Sequence, residues 1–296
     1  MAESRTSETD RTGDGARSRA EALAVLTRHP WWTTLGVFAL AIVVLLALWD
    51  WNWFKPLVER QVEARTGRSF EITGDLDVDR FGWTPLVQIG GFRFGNAKWA
   101  KEPTMASADC LQIAVELKPL LFQQEVRIPE IRLRKPRLLL EYGPQREGNW
   151  VFGEPSTKAT QYGALWIDDG RMRFVDTARK TDIDVAVRSD LRDPASQAPP
   201  ILANGGGQWE GRKFTLEGRG ESPMALQDTT RPYRIDVHAA AGNTKAHVRG
   251  TLLDPFRMRG FDVKLALSGR NLAELYPLLG IAAPDSPPYA FDGRLT

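Results

Sequence analysis

Apolar and polar side chains alternate with a period of two from residue 69 almost to the end of this 296-residue chain. Such alternation is typical of β-strands that place one face on an apolar interior and the other in water. Turn-forming groups separate the segments, among them Gly90-Gly91, Asp169-Gly170, Gly205-Gly206-Gly207 and Gly242-Asn243. We expect about fifteen strands, mostly joined by short turns and therefore mainly antiparallel. Clear examples lie at 87–89, 92–94, 111–117, 183–187, 214–216, 235–237 and 261–267.

Helix signals are scarce in this region, so the apolar side of the sheet has little to cover it. Directly before the strands, residues 54–67 predict a short amphipathic helix with Pro56 in its first turn and Gly67 as its stop. The pattern by itself favours a mainly β fold in which the sheet covers itself as a closed β-sandwich or barrel.

An uncharged apolar run occupies residues 31–49, with tryptophans at its borders. As an α-helix it is about 29 Å long, close to the thickness of the bilayer hydrocarbon. No polar stripe interrupts the run, so a transmembrane helix is favoured over a buried core helix. The run is also too long for a cleaved signal peptide, which favours an uncleaved anchor. Indole rings prefer the membrane–water boundary, which predicts interface positions at Trp31, Trp32, Trp49, Trp51 and Trp53.

Flanking charge predicts the orientation of this anchor. Arg17, Arg19 and Arg28 precede the run, against Lys55 and Arg60 after it, and basic flanks tend to stay in the cytoplasm. Residues 1–30, rich in Ser, Thr, Gly and charge, are expected to form a disordered cytoplasmic tail. Residues 69–296 are then an exported domain. Its last alternating segment stops without a turn, which predicts that the domain is truncated at its C-terminal end.

Composition and motifs give no support to catalysis. The net charge of +2 provides no electrostatic reason to expect nucleic acid. The single cysteine cannot form an internal disulfide. His29, His238 and His247 have no metal-ligand spacing, and the neighbours Asp168 and Asp169 would point to opposite faces of a strand. We therefore predict no enzyme, no cofactor and no metal.

Several stretches resemble the AsmA family, envelope proteins of Gram-negative bacteria with one N-terminal membrane helix. They follow one another in the family's order across most of residues 31–296. They are LVERQVEARTGRSFEITGDLDVD (57–79), FRFGNAKWAKEPTMASADCLQIAVELKPLL (92–121), IPEIRLRKPRLLLEYGPQREGNWVFG (128–153), LWIDDGRMRFVD (165–176) and LSGRNLAELYPLLGIAAPDSPPYAFDGRL (267–295).

The resemblance implies a long, curled antiparallel β-sheet, open along one side, whose apolar face lines a groove. The family is similar to bridge-like lipid-transfer proteins of the chorein type and to TamB. Together with the scarcity of covering helices, this favours the open groove over the closed β-sandwich. The implied location is the bacterial inner membrane, with a single span, a cytoplasmic N-terminus and the large domain in the periplasm.

The implied function is conduction of phospholipids toward the outer membrane, with membrane phospholipids as partners. The alternatives are an assembly factor that binds outer-membrane proteins and a sealed structural tether. Strand register decides which residues face inward, because a shift by one residue exchanges the two faces. The predicted groove-lining residues are Val87, Ile89, Phe92, Phe94, Leu111, Ile113, Val115, Leu117, Ile183, Val185 and Val187.

Overall fold

A computed structural model describes residues 37–40, 50–79, 82–152, 161–192, 198–227, 231–254, 259–275 and 284–296. Within the predicted transmembrane run, residues 37–40 are α-helical. The rest of the run, the predicted tail 1–30, and Trp31, Trp32 and Trp49 lie outside the described residues. Among the residues that are described, no helix has both the length and the apolar character to cross a bilayer.

The chain divides into two compact units, Met1–Asp50 and Trp51–Thr296. The second unit is mainly β, as predicted. Its described strands are β1 (Phe70–Ile72), β2 (Leu76–Asp79), β3 (Leu86–Ile89), β4 (Phe92–Gly95), β5 (Thr104–Ala108), β6 (Cys110–Ala114), β7 (Arg127–Arg134), β8 (Arg137–Glu141), β9 (Gln161–Asp168), β10 (Gly170–Asp176), β11 (Thr181–Ser189), β12 (Ile201–Trp209), β13 (Arg212–Gly220), β14 (Tyr233–Ala241), β15 (Thr244–Asp254), β16 (Arg259–Gly269) and β17 (Tyr289–Leu295).

These strands form two sheets. The large sheet has 12 strands in the order β1-β4-β5-β8-β10-β11-β12-β13-β14-β15-β16-β17, and the small sheet has 5 in the order β2-β3-β6-β7-β9. The predicted antiparallel arrangement is confirmed for most neighbours, and the large sheet does not close into a barrel. β7 and β9, and likewise β8 and β10, pair in parallel. The connection that makes this possible leads from the end of β8 at Glu141 to the start of β9 at Gln161.

The small sheet and the first five strands of the large sheet are the two halves of five bent strands. β1 leads into β2, β3 into β4, β5 into β6, β7 into β8 and β9 into β10, and the small sheet repeats the strand order of the large one. Backbone hydrogen bonds bridge neighbouring bends, for example from Asp109 N–H to the Arg134 carbonyl at 3.0 Å and from Lys135 N–H to the Asp168 carbonyl at 2.7 Å. We call this line of bends the crease; it passes through Gly74, Gly90, Asp109, Lys135 and Asp169.

Local geometry at the crease explains why the strands bend together. Lys135 and Asp169 have φ values of 48° and 51°, which lie outside the extended region. A Cβ atom on Gly74 would lie 2.4 Å from the carbonyl oxygen of Gly90, so the first two bent strands approach too closely for a side chain there. Gly90-Gly91 and Asp169-Gly170, predicted as turns between strands, therefore bend the chain without reversing it. Gly242-Asn243 does form a turn, between β14 and β15.

Helix α1 (Lys55–Thr66) lies beside the first strands and follows a 3₁₀ turn at Trp51–Phe54. It ends at Gly67, the predicted stop, whose φ is 66° and whose N–H donates to the Glu63 carbonyl at 2.8 Å. Apolar residues of both sheets meet next to it in a core built on Ile72, Leu76 and Ile89. Side chains that pack against this core are Trp51, Val58, Phe70, Val87, Phe92 and Leu111.

Candidate functional site

Strand register in the small sheet sets apolar side chains in two continuous rows. Ile89 lies opposite Leu111, and Val87 lies opposite Ile113. Because alternate residues of a strand share a face, the two rows make that face apolar from edge to edge. The rows are Leu76-Ile89-Leu111-Leu133-Ile167 and Val78-Val87-Ile113-Ile131-Leu165.

The large sheet carries an apolar row across all 12 of its strands. It begins at Phe70 on β1 and ends at Phe291 on β17, and a single glycine, Gly205, represents β12. Parallel rows on the same face continue beside it, for example Val187-Ala203-Gly218-Val237-Val248-Leu265-Gly293. The full row is Phe70-Phe94-Ala106-Leu138-Met172-Val185-Gly205-Leu216-Ala239-Ala246-Leu267-Phe291.

The predicted lining residues are divided between these two apolar faces. The small sheet carries Val87, Ile89, Leu111 and Ile113, and the large sheet carries Phe92, Phe94, Ile183, Val185 and Val187. Val115 and Leu117 lie just beyond β6, where their N–H groups donate to the carbonyls of Pro85 at 3.1 Å and Trp83 at 2.8 Å. They therefore extend the pairing of β6 with the chain that precedes β3.

Coverage of the apolar faces changes along the large sheet. Beside α1, the small sheet lies over it, and Val87, Ile89, Phe92 and Leu111 are part of the shared core. In contrast, the described parts of β12 to β17 pack extensively only against their neighbours within the sheet. Their apolar side chains are mostly half-buried, and Phe291 is 52% exposed.

The residues that line this uncovered part are not among those predicted from the sequence. Leu216, Val237, Val248, Leu265 and Leu267 lie on the same face as Val185 and Val187. Several of them lie in segments whose alternation predicted strands. Choosing them required the strand order, which local alternation does not contain.

The opposite face of the large sheet is charged, and its charges pair across strands. Arg173 donates to the two oxygens of Asp182 at 2.9 and 2.7 Å, and Arg294 donates to both oxygens of Asp262 at 2.5 Å. These hydrogen bonds hold the pKa of each aspartate below its usual value. Solvent screens such exposed pairs, so each stabilises the fold little, but their charges favour leaving this face in water.

The first edge of each sheet is capped by polar side chains from the α1 region. Ile72 N–H on β1 donates to Glu59 at 2.8 Å, and Leu76 N–H on β2 donates to Asn52 at 2.9 Å. Capped N–H groups cannot pair with a further strand, which protects an edge from association. At the other end of the large sheet, β17 pairs with β16, and no further strand follows it in the described part of the chain.

Comparison with known proteins gives a family match over most of the chain. The AsmA family model matches residues 31–296. The chain is similar to the AsmA family protein YhjG of Escherichia coli (strain K12), with 29% identity over 306 residues that cover 88% of this chain and 44% of that protein. The chain thus spans less than half the length of this relative. No solved structure matches it significantly. Since the family match covers the apolar run, α1 and all the strands of both sheets, this chain belongs to the AsmA family.

Proposed function

We propose that this chain is part of a lipid-transfer protein whose apolar face forms a groove for the acyl chains of phospholipids, while the headgroups stay in water. The observation that carries the proposal is the apolar row from Phe70 to Phe291, which continues where the sheet has no second layer over β12 to β17 in the described residues. Membership of the AsmA family supports a role in lipid transport or outer-membrane biogenesis.

Energetics explain why such a face is sufficient for transfer. Two acyl chains of about sixteen carbons carry roughly thirty methylenes, and at about 0.8 kcal/mol each their exposure to water costs on the order of 20–25 kcal/mol. An apolar groove removes most of this barrier without a catalytic residue. It supplies no net pull, because groove and bilayer are similarly apolar, so direction has to come from a concentration difference or another machine.

The dimensions of the sheet fit several acyl chains in sequence. Eleven inter-strand steps separate β1 from β17 in the large sheet, and at about 4.8 Å per step the row is roughly 53 Å long. This exceeds the hydrocarbon thickness of one bilayer, about 30 Å. A lipid that enters at one end therefore has room to move along the face while others follow.

We further propose that residues 31–49 anchor the protein in the bacterial inner membrane, with the N-terminus cytoplasmic and Trp51–Thr296 in the periplasm. The apolar run and its flanking arginines support this orientation. Trp53 and Leu57, at the start of the second unit, are 62% and 63% exposed, and such side chains suit contact with the membrane surface. Transport would then run toward the outer membrane.

Photocrosslinking at neighbouring positions tests the groove. A photoreactive residue at Leu216, on the apolar face of β13, is expected to capture phospholipid in cells, whereas the same residue at Glu217, on the polar face, is not. Val248 and Arg249 on β15 provide a second matched pair. Equal capture at the two positions of both pairs would contradict the proposal.

The second candidate is an assembly factor for outer-membrane proteins, and the apolar side chains exposed on β17 favour it. Exposed apolar side chains can contact an unfolded client protein, and Phe291 and Leu295 on β17 are 52% and 44% exposed. Crosslinks from residues of β17 to unfolded outer-membrane proteins, with no lipid captured at Leu216, would favour this function over lipid transfer.

A further inference from the structure

Pairing of β14 with β15 brings together three polar side chains that are separated along the chain. His238 lies directly opposite His247, and Asp236 lies two residues before His238 on the same strand face. The two imidazole rings stack with centroids 3.8 Å apart and an interplanar angle of 14°. His247 Nε2 lies 2.8 Å from Asp236 Oδ1, and His238 Nδ1 lies 4.0 Å from the same oxygen.

This arrangement has the ligand types and the proximity of a transition-metal site. One ligand atom from each of the three residues lies within 4.8 Å of the others. Around a tetrahedral zinc ion, with bonds of about 2.0–2.1 Å, ligand atoms are about 3.3 Å apart. Because the two rings stack face to face, their side chains have to rotate to direct one nitrogen each toward a shared ion, and the paired strands hold the three residues close enough for this.

Some neighbouring charges weaken the binding of a cation at this site, and others favour it. Arg249 Nε lies 3.6 Å from Asp236 Oδ2, so its positive charge competes with a cation for the carboxylate. Lys245 lies on the same strand face as His247. Glu217 on β13 lies opposite His238 on the same face and offsets part of this positive charge. Two imidazoles and one carboxylate favour zinc-like ions over Ca²⁺ and Mg²⁺, which prefer oxygen ligands.

We propose that Asp236, His238 and His247 bind one divalent ion of the zinc type on the polar face of the large sheet and thereby link β14 to β15. These strands lie in the part of the sheet that no second layer covers in the described residues. The core beside α1 does not extend to β14 and β15, so a metal cross-link would stabilise strands that this core does not. The site is on the face opposite the apolar rows, so the proposal does not depend on lipid transfer.

Zinc titration of the full chain in detergent, without a polyhistidine tag, tests the site. After removal of metal with a chelator, calorimetry is expected to show one Zn²⁺ bound per chain, whereas Ca²⁺ and Mg²⁺ give no heat of binding. His238→Gln and His247→Gln are each expected to weaken zinc affinity about tenfold or more, while His29→Gln leaves it unchanged. Absence of zinc binding, or equal affinity in all three variants, would overturn the proposal.

Arg249→Gln is expected to change the zinc affinity in the opposite direction to the histidine variants. Loss of the competing guanidinium is expected to tighten zinc binding, a result that a general defect in folding cannot produce. Weaker binding in this variant would overturn the assignment of Asp236 as a ligand. Co²⁺ in place of Zn²⁺ adds an independent readout, because visible absorption from a low-symmetry site is expected in the parent chain and lost in His247→Gln.

Discussion

At the scale of single residues, the chain after β8 is held by one buried amide. Asn149 is 0% exposed. Its side-chain oxygen accepts from Glu141 N–H at 3.1 Å, and its Nδ2 donates to the Leu139 carbonyl and to Asn96 Oδ1, both at 2.9 Å. The amide therefore fastens the segment that follows β8 back onto that strand and onto the chain after β4.

Replacement of this amide is expected to be costly. Asn149→Ala leaves the Glu141 N–H and the Leu139 carbonyl without these partners, and the free energy of unfolding is expected to fall by about 2–3 kcal/mol. Urea unfolding followed by circular dichroism measures the change. Asn204→Ala, at an exposed position of β12, serves as control and is expected to stay within about 0.5 kcal/mol of the parent chain.

A second residue-scale prediction concerns acid stability. Asp190 has a side chain that is 3% exposed, and it accepts two hydrogen bonds from the Arg192 side chain at 2.8 Å and one from Arg219 at 3.1 Å. The hydrogen bonds from Arg192 hold the pKa of this carboxyl well below its usual range. Since the unfolded value is about 3.9, Asp190 stabilises the folded state fully above that pH, and this contribution is lost as the pH falls toward the lower folded pKa.

The expected result is a pH-dependent effect of Asp190→Asn. The variant should be less stable than the parent chain at pH 7, and the difference should shrink below about pH 4, where the unfolded parent chain takes up the proton before the folded one does. Urea unfolding across this pH range measures it. Asp79→Asn, at an exposed end of β2, should show no comparable trend, and a constant difference for Asp190→Asn would contradict the assignment.

At the scale of secondary-structure elements, the crease is the feature that local patterns did not predict. Alternation on both sides of Gly90-Gly91 and of Asp169-Gly170 was visible, and glycine signalled a break in each place. Whether the chain reverses or only bends there depends on what the neighbouring strands do. Because each of the first bent strands pairs with the next on both sides of the crease, a bend keeps all the ladders intact.

Adding a side chain at the crease is expected to destabilise the protein. Gly74→Ala places a Cβ 2.4 Å from the Gly90 carbonyl oxygen, where the neighbour is backbone and yields little. The free energy of unfolding is expected to fall by about 1–3 kcal/mol. Gly218→Ala is the comparison, because its nearest atom is a side-chain methyl of Val237 at 3.1 Å. If Gly74→Ala is no less stable than Gly218→Ala, the prediction is wrong, because the strands at the crease can then move apart enough to accommodate a Cβ atom.

At the scale of the β unit, the large sheet separates its surfaces by chemistry. One face carries apolar rows from edge to edge, and the other carries arginine–aspartate pairs and the histidine pair. A sheet with an apolar face normally buries it against another layer, and the small sheet meets this need only beside α1. The remaining apolar surface is what the proposed lipid would cover.

A charge placed on that surface tests whether the apolar face of the β unit binds lipid. Val248→Asp, on the apolar face of β15, is expected to reduce the phospholipid that copurifies with the full chain about tenfold or more, because one unpaired carboxylate in the groove costs several kcal/mol. Native mass spectrometry of the detergent-solubilised protein counts the bound lipid. Thr215→Asp, exposed on the polar face of β13, should bind as much lipid as the parent chain. Undiminished lipid in Val248→Asp would contradict the groove.

The sequence by itself determined most of the strands, the polarity of their faces and the end of α1 at Gly67, because periodicity and capping depend on residues close together in the chain. Its ordered motifs also indicated the AsmA family. Gly205-Gly206-Gly207, predicted as a turn, instead lies within β12. Only the tertiary structure decided which strands pair, and therefore that the first strands bend at a common crease and that His238 meets His247. It also decided that Ile89 and Leu111 lie in a covered core, while Leu216 and Val248 lie on the uncovered part of the apolar face. These are outcomes of pairing between distant segments, and a local pattern contains the face of each strand but not its neighbours.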